Sequence, residues 1–316
     1  TAFWLESDRL RYLNLTDESI DTQKSVVIEE FKQRCLNVPY GDLYHFCNDL
    51  AYKVHPYRWP TIGLSVDDIK NASHEDIKSF FAQHYAVNNL ILCVSGHIEF
   101  EKAVALTEKW FGDFAPANIP VRNLPQEPVQ TEQRFMSVKR EVPQNVLTMM
   151  YHMCGRRDAD YQVCDMLSDV LSNGMSSRFY RNVLVKSGLF TELEASVSGT
   201  YDPGLFIVRA RLADGVSFDK AKDAIDAELA DFVSNGATAY EIEKCANKYE
   251  STRLFDMITY EKKGVKLCQY ELLGDAVDIN KEVGKYRCIT QDRLMNVAKN
   301  LLNPDNCSIL YYGPDA

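Results

Sequence analysis

Between Thr16 and Gly41 the hydrophobic positions recur with a helical period. Thr16 or Asp17 can cap a helix that the Pro39-Tyr40-Gly41 turn must end, leaving about six turns of good helix formers between them. On a 3.6-residue repeat Ile20, Gln23, Val27, Glu30 and Arg34 form one stripe, with Ile28, Phe31 and Cys35 beside it. Glu30 therefore faces the apolar side, whereas Glu29 points elsewhere. A carboxylate on a burying face is costly unless a cation, a metal or hydrogen bonds compensate it. Arg34, one turn on, is the simplest compensation.

The same patterns divide the rest of the chain. Thr1–Leu13 reads as the end of a helix, Asp42–Tyr52 as another, and AYKVHPYRWPTIG as a long loop that must pack on something. Ser65–Asn71 is a short helix. Ser73 caps a helix with a stripe of Ile77, Phe80, Phe81 and Tyr85, and NNLILCVSG follows as a buried strand. Phe100–Phe111 is helical. The stretch DFAPANIPVRNLPQEPVQ then carries four of the eleven prolines and reads as an extended linker. Beyond it, QRFMSVKRE and NVLTMMYHM are strands, ADYQVCDMLSDVLSN and SSRFYRNVLVKS helices, and TELEASVSG and LFIVRARL an antiparallel pair around Asp202-Pro203-Gly204. Helices are expected over Ser217–Ser234, Thr238–Ile258 and Tyr260–Leu273, and the chain closes on a helix and a strand. Few strands are joined by single crossovers, so the expected class is α+β, with antiparallel sheets each covered by helices on one face.

That closing pair repeats an earlier one. Ser73–Gly96 aligns without a gap on Thr290–Gly313, an offset of 217 residues (290 minus 73). Ser73 matches Thr290 as a cap, Ile77 matches Leu294, Asn89 matches Asn306 and Gly96 matches Gly313. Two homologous domains are expected: residues 1–115 as the C-terminal part of the first, 116–132 as the linker and 133–316 as the second. The strands and helices that open the second copy, Gln133 to Leu212, have no counterpart before Thr1, so the first copy is expected to be truncated at its N-terminus. The offset sets Glu30 opposite Asn247: the helix recurs and its carboxylate does not. A residue needed only for the fold would more naturally persist in both copies.

Composition narrows the partners. The net charge of −10, with basic residues scattered, disfavours nucleic acid and anionic membrane surfaces, and no apolar run is long enough for a membrane span. Nine cysteines, an odd count with no C-x-x-C, lean towards a reducing, cytoplasmic setting and leave the periplasm open. No glycine-rich phosphate cradle supports a small-molecule binding module.

In its order of motifs the chain resembles the insulinase, pitrilysin and mitochondrial-processing-peptidase type of zinc metallopeptidase, most of all its shorter bacterial two-domain members. The resemblance rests on DTQKSVVIEEFKQR followed by NVPYG, HPYRWPTIG, FFAQHYAVNNLILCVSG, EKWFG before the linker, and SNGMSSRFYRNVLVKSGLF. It implies a zinc site built on an inverted H-x-x-E-H helix, with two His ligands, the Glu between them as general base, and a third ligand from a downstream helix. Glu30 matches that downstream ligand. Gln23 stands where many relatives carry an assisting Glu. Neither H-x-x-E-H nor H-E-x-x-H occurs here, so no catalytic residue is assigned within the chain, and the pair with its general base is expected upstream of Thr1.

His45, His55, His74, His84, His97 and His152 lie on different elements, without carboxylates at ligand spacing, and read as surface or loop-packing residues. Relatives carry a substrate-contacting Arg and Tyr where Leu184 and Thr191 stand here; Arg178 and Arg181 read as members of a solvated helix face. The implied function is zinc-dependent endopeptidase action on peptides or unfolded segments held in a two-domain chamber, the substrate adding as a strand to a sheet edge. This chain would be an inactive fragment of that enzyme, its second domain non-catalytic, able to form a homodimer or pair with another peptidase subunit. The rival is a non-catalytic partner subunit of the same family; Gln23, Leu184 and Thr191 lean that way and Glu30 the other.

Overall fold

The computed structural model describes residues 1–316. Its elements in chain order are α1 (Ala2–Arg11), α2 (Asp17–Phe31), α3 (Leu43–Ala51), α4 (Val66–Asn71), α5 (His74–His84), α6 (Phe100–Phe111), β1 (Arg134–Lys139), β2 (Val146–His152), α7 (Tyr161–Ser172) and α8 (Val185–Ser187). There follow β3 (Phe190–Val197), β4 (Leu205–Leu212), α9 (Phe218–Asn235), α10 (Ala239–Asp256), α11 (Tyr260–Leu273), α12 (Glu282–Arg287), α13 (Gln291–Leu301) and β5 (Cys307–Gly313). Single π-helical stretches, Lys32–Leu36 and Phe179–Leu184, extend α2 and precede α8. The class is α+β, and the elements fall into two compact units.

The larger unit holds Pro39–Pro60, Pro125–Phe255 and Asp278–Ala316. Its five strands form one sheet in the order β1-β5-β2-β4-β3, antiparallel throughout except where β1 runs parallel to β5. Successive strand residues face opposite ways, and β2 sorts its side chains accordingly. Leu147, Met149 and Tyr151 join the main core with α7, α9 and α13, while Val146 and Met150 point to the other face. That second face is covered by α3, whose Leu43, Cys47, Leu50 and Ala51 are buried against Val138, Leu310 and Tyr312. Helices thus lie on both faces of this sheet, not on one. The amphipathic pattern of Asp42–Tyr52 foretells a buried face but not the surface it meets.

The smaller unit holds Thr1–Val38, Thr61–Leu124 and Asp256–Val277. Arg11 pairs with Asp113 and lies 4.3 Å over the Phe114 ring, tying α1 to the end of α6. Lys24 Nζ donates to the Lys70 and Ala72 carbonyls at 2.8 and 2.6 Å, closing the C-terminal end of α4. Lys78 Nζ stands 2.7 Å from Asp17, joining α5 to the start of α2.

The expected sheet of this first copy is not formed. Leu90–Ser95 runs extended with no ladder partner, and Leu90, Ile91, Leu92 and Val94 are 39–46% exposed instead of buried. A strand's backbone groups are satisfied by neighbouring strands, and no strand in this unit stands beside it. The repeat itself holds in detail. Asn89 Nδ2 donates to the His84 carbonyl at 2.9 Å and Asn306 Nδ2 to the Leu301 carbonyl at 3.0 Å, positions that correspond at both ends at the 217-residue offset (306 minus 89; 301 minus 84). Ser73 and Thr290 both cap their helices, and Gly96 and Gly313 take φ of 156° and 153°. At Gly313 a Cβ would stand 2.3 Å from Asn145 Oδ1, so glycine is required there.

Unit membership follows the same offset. The stretch of early chain in the larger unit, 39–60, and the stretch of late chain in the smaller unit, 256–277, correspond at 217 residues at both ends (256 minus 39; 277 minus 60). The offset that aligns the two helix-and-strand pairs therefore also relates the two segments at which the units interleave along the chain.

Candidate functional site

Helix α2 forms as its sequence dictates. The Thr16 side chain accepts from Ser19 N at 3.2 Å, Asp17 and Glu18 occupy the first turn, and Ile20 and Phe31 are buried. Gln23 is exposed. Glu30 is half-buried, its side chain 40% accessible, and its Oε1 stands 3.0 Å from Arg34 Nη2. The pair lies where the helix widens into the π-helical turn Lys32–Leu36, a feature not legible in the spacing of apolar residues.

Asn247, the counterpart of Glu30, is exposed on α10 and accepts from Arg287 Nη2 at 3.1 Å. Arg287 also pairs with Glu250. Each position is thus met by an arginine, one turn away for Glu30 and 40 residues away for Asn247.

A catalytic zinc site takes three protein ligands. No group of three His, Cys, Asp or Glu side chains comes together in this structure, and the carboxylate of Glu30 is met by a cation instead of a second ligand. The residues present do not make a zinc site.

His55, His152 and His74 are held by packing and surface pairs. His55 is 5% exposed: its Nδ1 accepts from Tyr57 N at 3.1 Å and its Nε2 lies 3.3 Å from Asp202 Oδ2. Glu127 accepts from the backbone N–H groups of Lys53, Val54 and His55 at 2.7, 2.9 and 2.9 Å, so the loop from Lys53 to Trp59 is anchored in the larger unit. Burial pulls the His152 imidazole down in pKa, and its Nε2 lies 2.9 Å from the Ala51 carbonyl. His74 lies at the surface, 2.7 Å from Asp21.

Leu184 is half-buried at the end of the π-helical turn, and Thr191 is exposed on β3. Arg181 is exposed, but Arg178 does not lie on a solvated face. Its side chain is 12% accessible, stacks 4.9 Å over the Phe232 ring, and holds Glu241 bidentately, Nε to Oε1 at 2.8 Å and Nη2 to Oε2 at 3.0 Å. Burial alone would raise the Glu241 carboxyl; the hydrogen bonds from Arg178 and Thr238 outweigh it and bring it down to about 2. Sequence spacing missed this pair because 63 residues separate its members.

No helix is long and apolar enough to cross a membrane. Residues 71–249, more than half of the chain, match the family model described as the peptidase M16 inactive domain. Among curated proteins, zinc protease PqqE of Helicobacter pylori is 28% identical over 245 residues, which cover 76% of this chain and 54% of that protein. The zinc protease YmxG of Bacillus subtilis is 20% identical over 302 residues, covering 95% of this chain and 72% of that one. The match thus spans about half of the first of these relatives. Among solved structures, a protease from Helicobacter pylori superposes with a TM-score of 0.90 at 23% identity, covering 99% of this chain and 76% of the other. A peptidase M16 inactive domain from Pseudomonas fluorescens gives 0.83 at 18%, covering 99% and 74%. These two show the same fold, and with the family model they place the chain: it belongs to the peptidase M16 inactive-domain family.

Proposed function

We propose that the chain is part of a zinc-dependent endopeptidase in which Glu30 is one metal ligand and the larger unit is catalytically silent. The observation that carries this reading is the unpaired segment Leu90–Ser95. Its counterpart β5 is held between β1 and β2, so the repeat supports one further strand on each side of Leu90–Ser95, supplied by residues outside 1–316. The same opening portion of the first copy would carry the two His ligands and the general base. The relatives named zinc proteases extend well beyond the matched region, which also supports the reading. The substrate would be a peptide or unfolded segment in extended form, read through its backbone.

The test is a fluorogenic peptide assay on the chain with its preceding residues restored. Cleavage that is abolished by a chelator and by Glu30→Gln is expected, with the fold retained by circular dichroism. Full activity in Glu30→Gln would return Glu30 to a surface residue paired with Arg34. No cleavage by the extended protein under any metal condition would favour the non-catalytic partner subunit.

A further inference from the structure

In the smaller unit α11 lies along Leu90–Ser95, and each brings one cysteine to the contact. At Gly264 of α11 a Cβ would stand 3.6 Å from Ser95 Cβ and 3.7 Å from Cys93 Sγ, so the helix backbone runs close against the segment. One turn on, Cys268 Sγ lies 3.9 Å from the carbonyl oxygen of Ile91, two residues before Cys93 on the segment. Both thiols are half-buried and line one cavity of about 950 Å³ with Leu90, Leu92, Val265 and Leu272.

The molecule contains its own control for this contact. At the 217-residue offset Cys93 corresponds to Leu310 and Cys268 to Ala51, both buried in the cluster that seats α3 on the sheet of the larger unit. At these two positions the helix and strand present carbon only, although α3 also buries the Cys47 thiol one turn before Ala51. The smaller unit replaces both apolar side chains with thiols, which packing does not require.

We propose that Cys93 and Cys268 form a redox-active dithiol site that a small-molecule disulfide oxidises to an intramolecular disulfide, stapling α11 to Leu90–Ser95. Burial, followed by the neighbouring thiol, raises Cys93 and makes it the poorer first attacker. Cys268 gives its proton to solvent and attacks one sulfur of the oxidant, forming a mixed disulfide and expelling the first thiolate. Cys93 then loses its proton and attacks the Cys268 sulfur, forming the Sγ–Sγ bond and expelling the second thiolate. Two protein thiols are oxidised and one disulfide is reduced to two thiols. The sulfurs must close to about 2 Å for the bond to form.

The experiment incubates the 316-residue chain with oxidised glutathione and maps disulfides by mass spectrometry without reduction. Expected is one internal link between the peptides carrying Cys93 and Cys268, about 2 Da lighter than the free thiols and reversed by dithiothreitol. The linked form should melt roughly 5 °C or more higher, because the bond closes a loop of 175 residues (268 minus 93). Cys268→Ser should lose the link and the shift, and exposed Cys288 should give only a glutathione adduct. Glutathione adducts at Cys93 or Cys268 without the link, or a link that forms only between these and other cysteines, would overturn the proposal. The mapping of the unaltered chain decides this even if a serine variant folds poorly.

Discussion

Glu30 and Arg178 show how differently a charged side chain can be used at the same sequence-level description. Both sit on helices beside apolar residues, yet Arg178 is enclosed and bidentate whereas the Glu30–Arg34 pair is open to solvent. Exposed i,i+4 pairs contribute little, so Glu30→Gln should change the stability of this chain by about 0.5 kcal/mol or less in urea unfolding. Arg178→Ala should cost about 2–4 kcal/mol, because it strands the Glu241 carboxylate. The sign of the pH dependence follows from the depressed carboxyl of Glu241. Its contribution is fully present above the ordinary glutamate pKa, about 4.3, and is lost as the pH falls towards about 2. The gap between the original chain and Arg178→Ala, measured across that window, should therefore narrow as acid is added; a constant gap would remove the ion pair from the account.

Elements whose partners are local were legible in the sequence. Thr16, Ser73 and Thr290 cap the helices their spacing announced, and β3 and β4 pair around the Asp202-Pro203-Gly204 turn. Elements defined by distant partners were not. LILCVS has the composition of a buried strand, but a strand exists through its ladder, and here it has none. The seating of α3 on the sheet, and of α11 against Leu90–Ser95, depends on surfaces that an amphipathic stripe cannot name. Amide hydrogen exchange separates the two copies directly. Leu90–Ser95 should exchange orders of magnitude faster than Cys307–Gly313, whose groups are held by β1 and β2. Equal protection would mean that the extended segment has partners this structure lacks. Gly313→Ala should cost about 2 kcal/mol or more, since its Cβ would collide with Asn145.

Across the whole molecule, the offset of 217 residues that aligns Ser73–Gly96 with Thr290–Gly313 also relates the segments 39–60 and 256–277, which divide the two units. The offset was visible in twenty-four aligned residues, from 73 to 96, and it recurs in the segments that divide the two units. The metal question was legible only in outline: Glu30 could be singled out, while the residues that would complete a site do not stand near it. The most direct test is therefore zinc stoichiometry by native mass spectrometry after dialysis, for this chain and for the same chain with its preceding residues. The account predicts no retained zinc on residues 1–316 and one zinc per extended chain, lost with Glu30→Gln. A tightly held zinc on residues 1–316, or none on the extended protein, would contradict it.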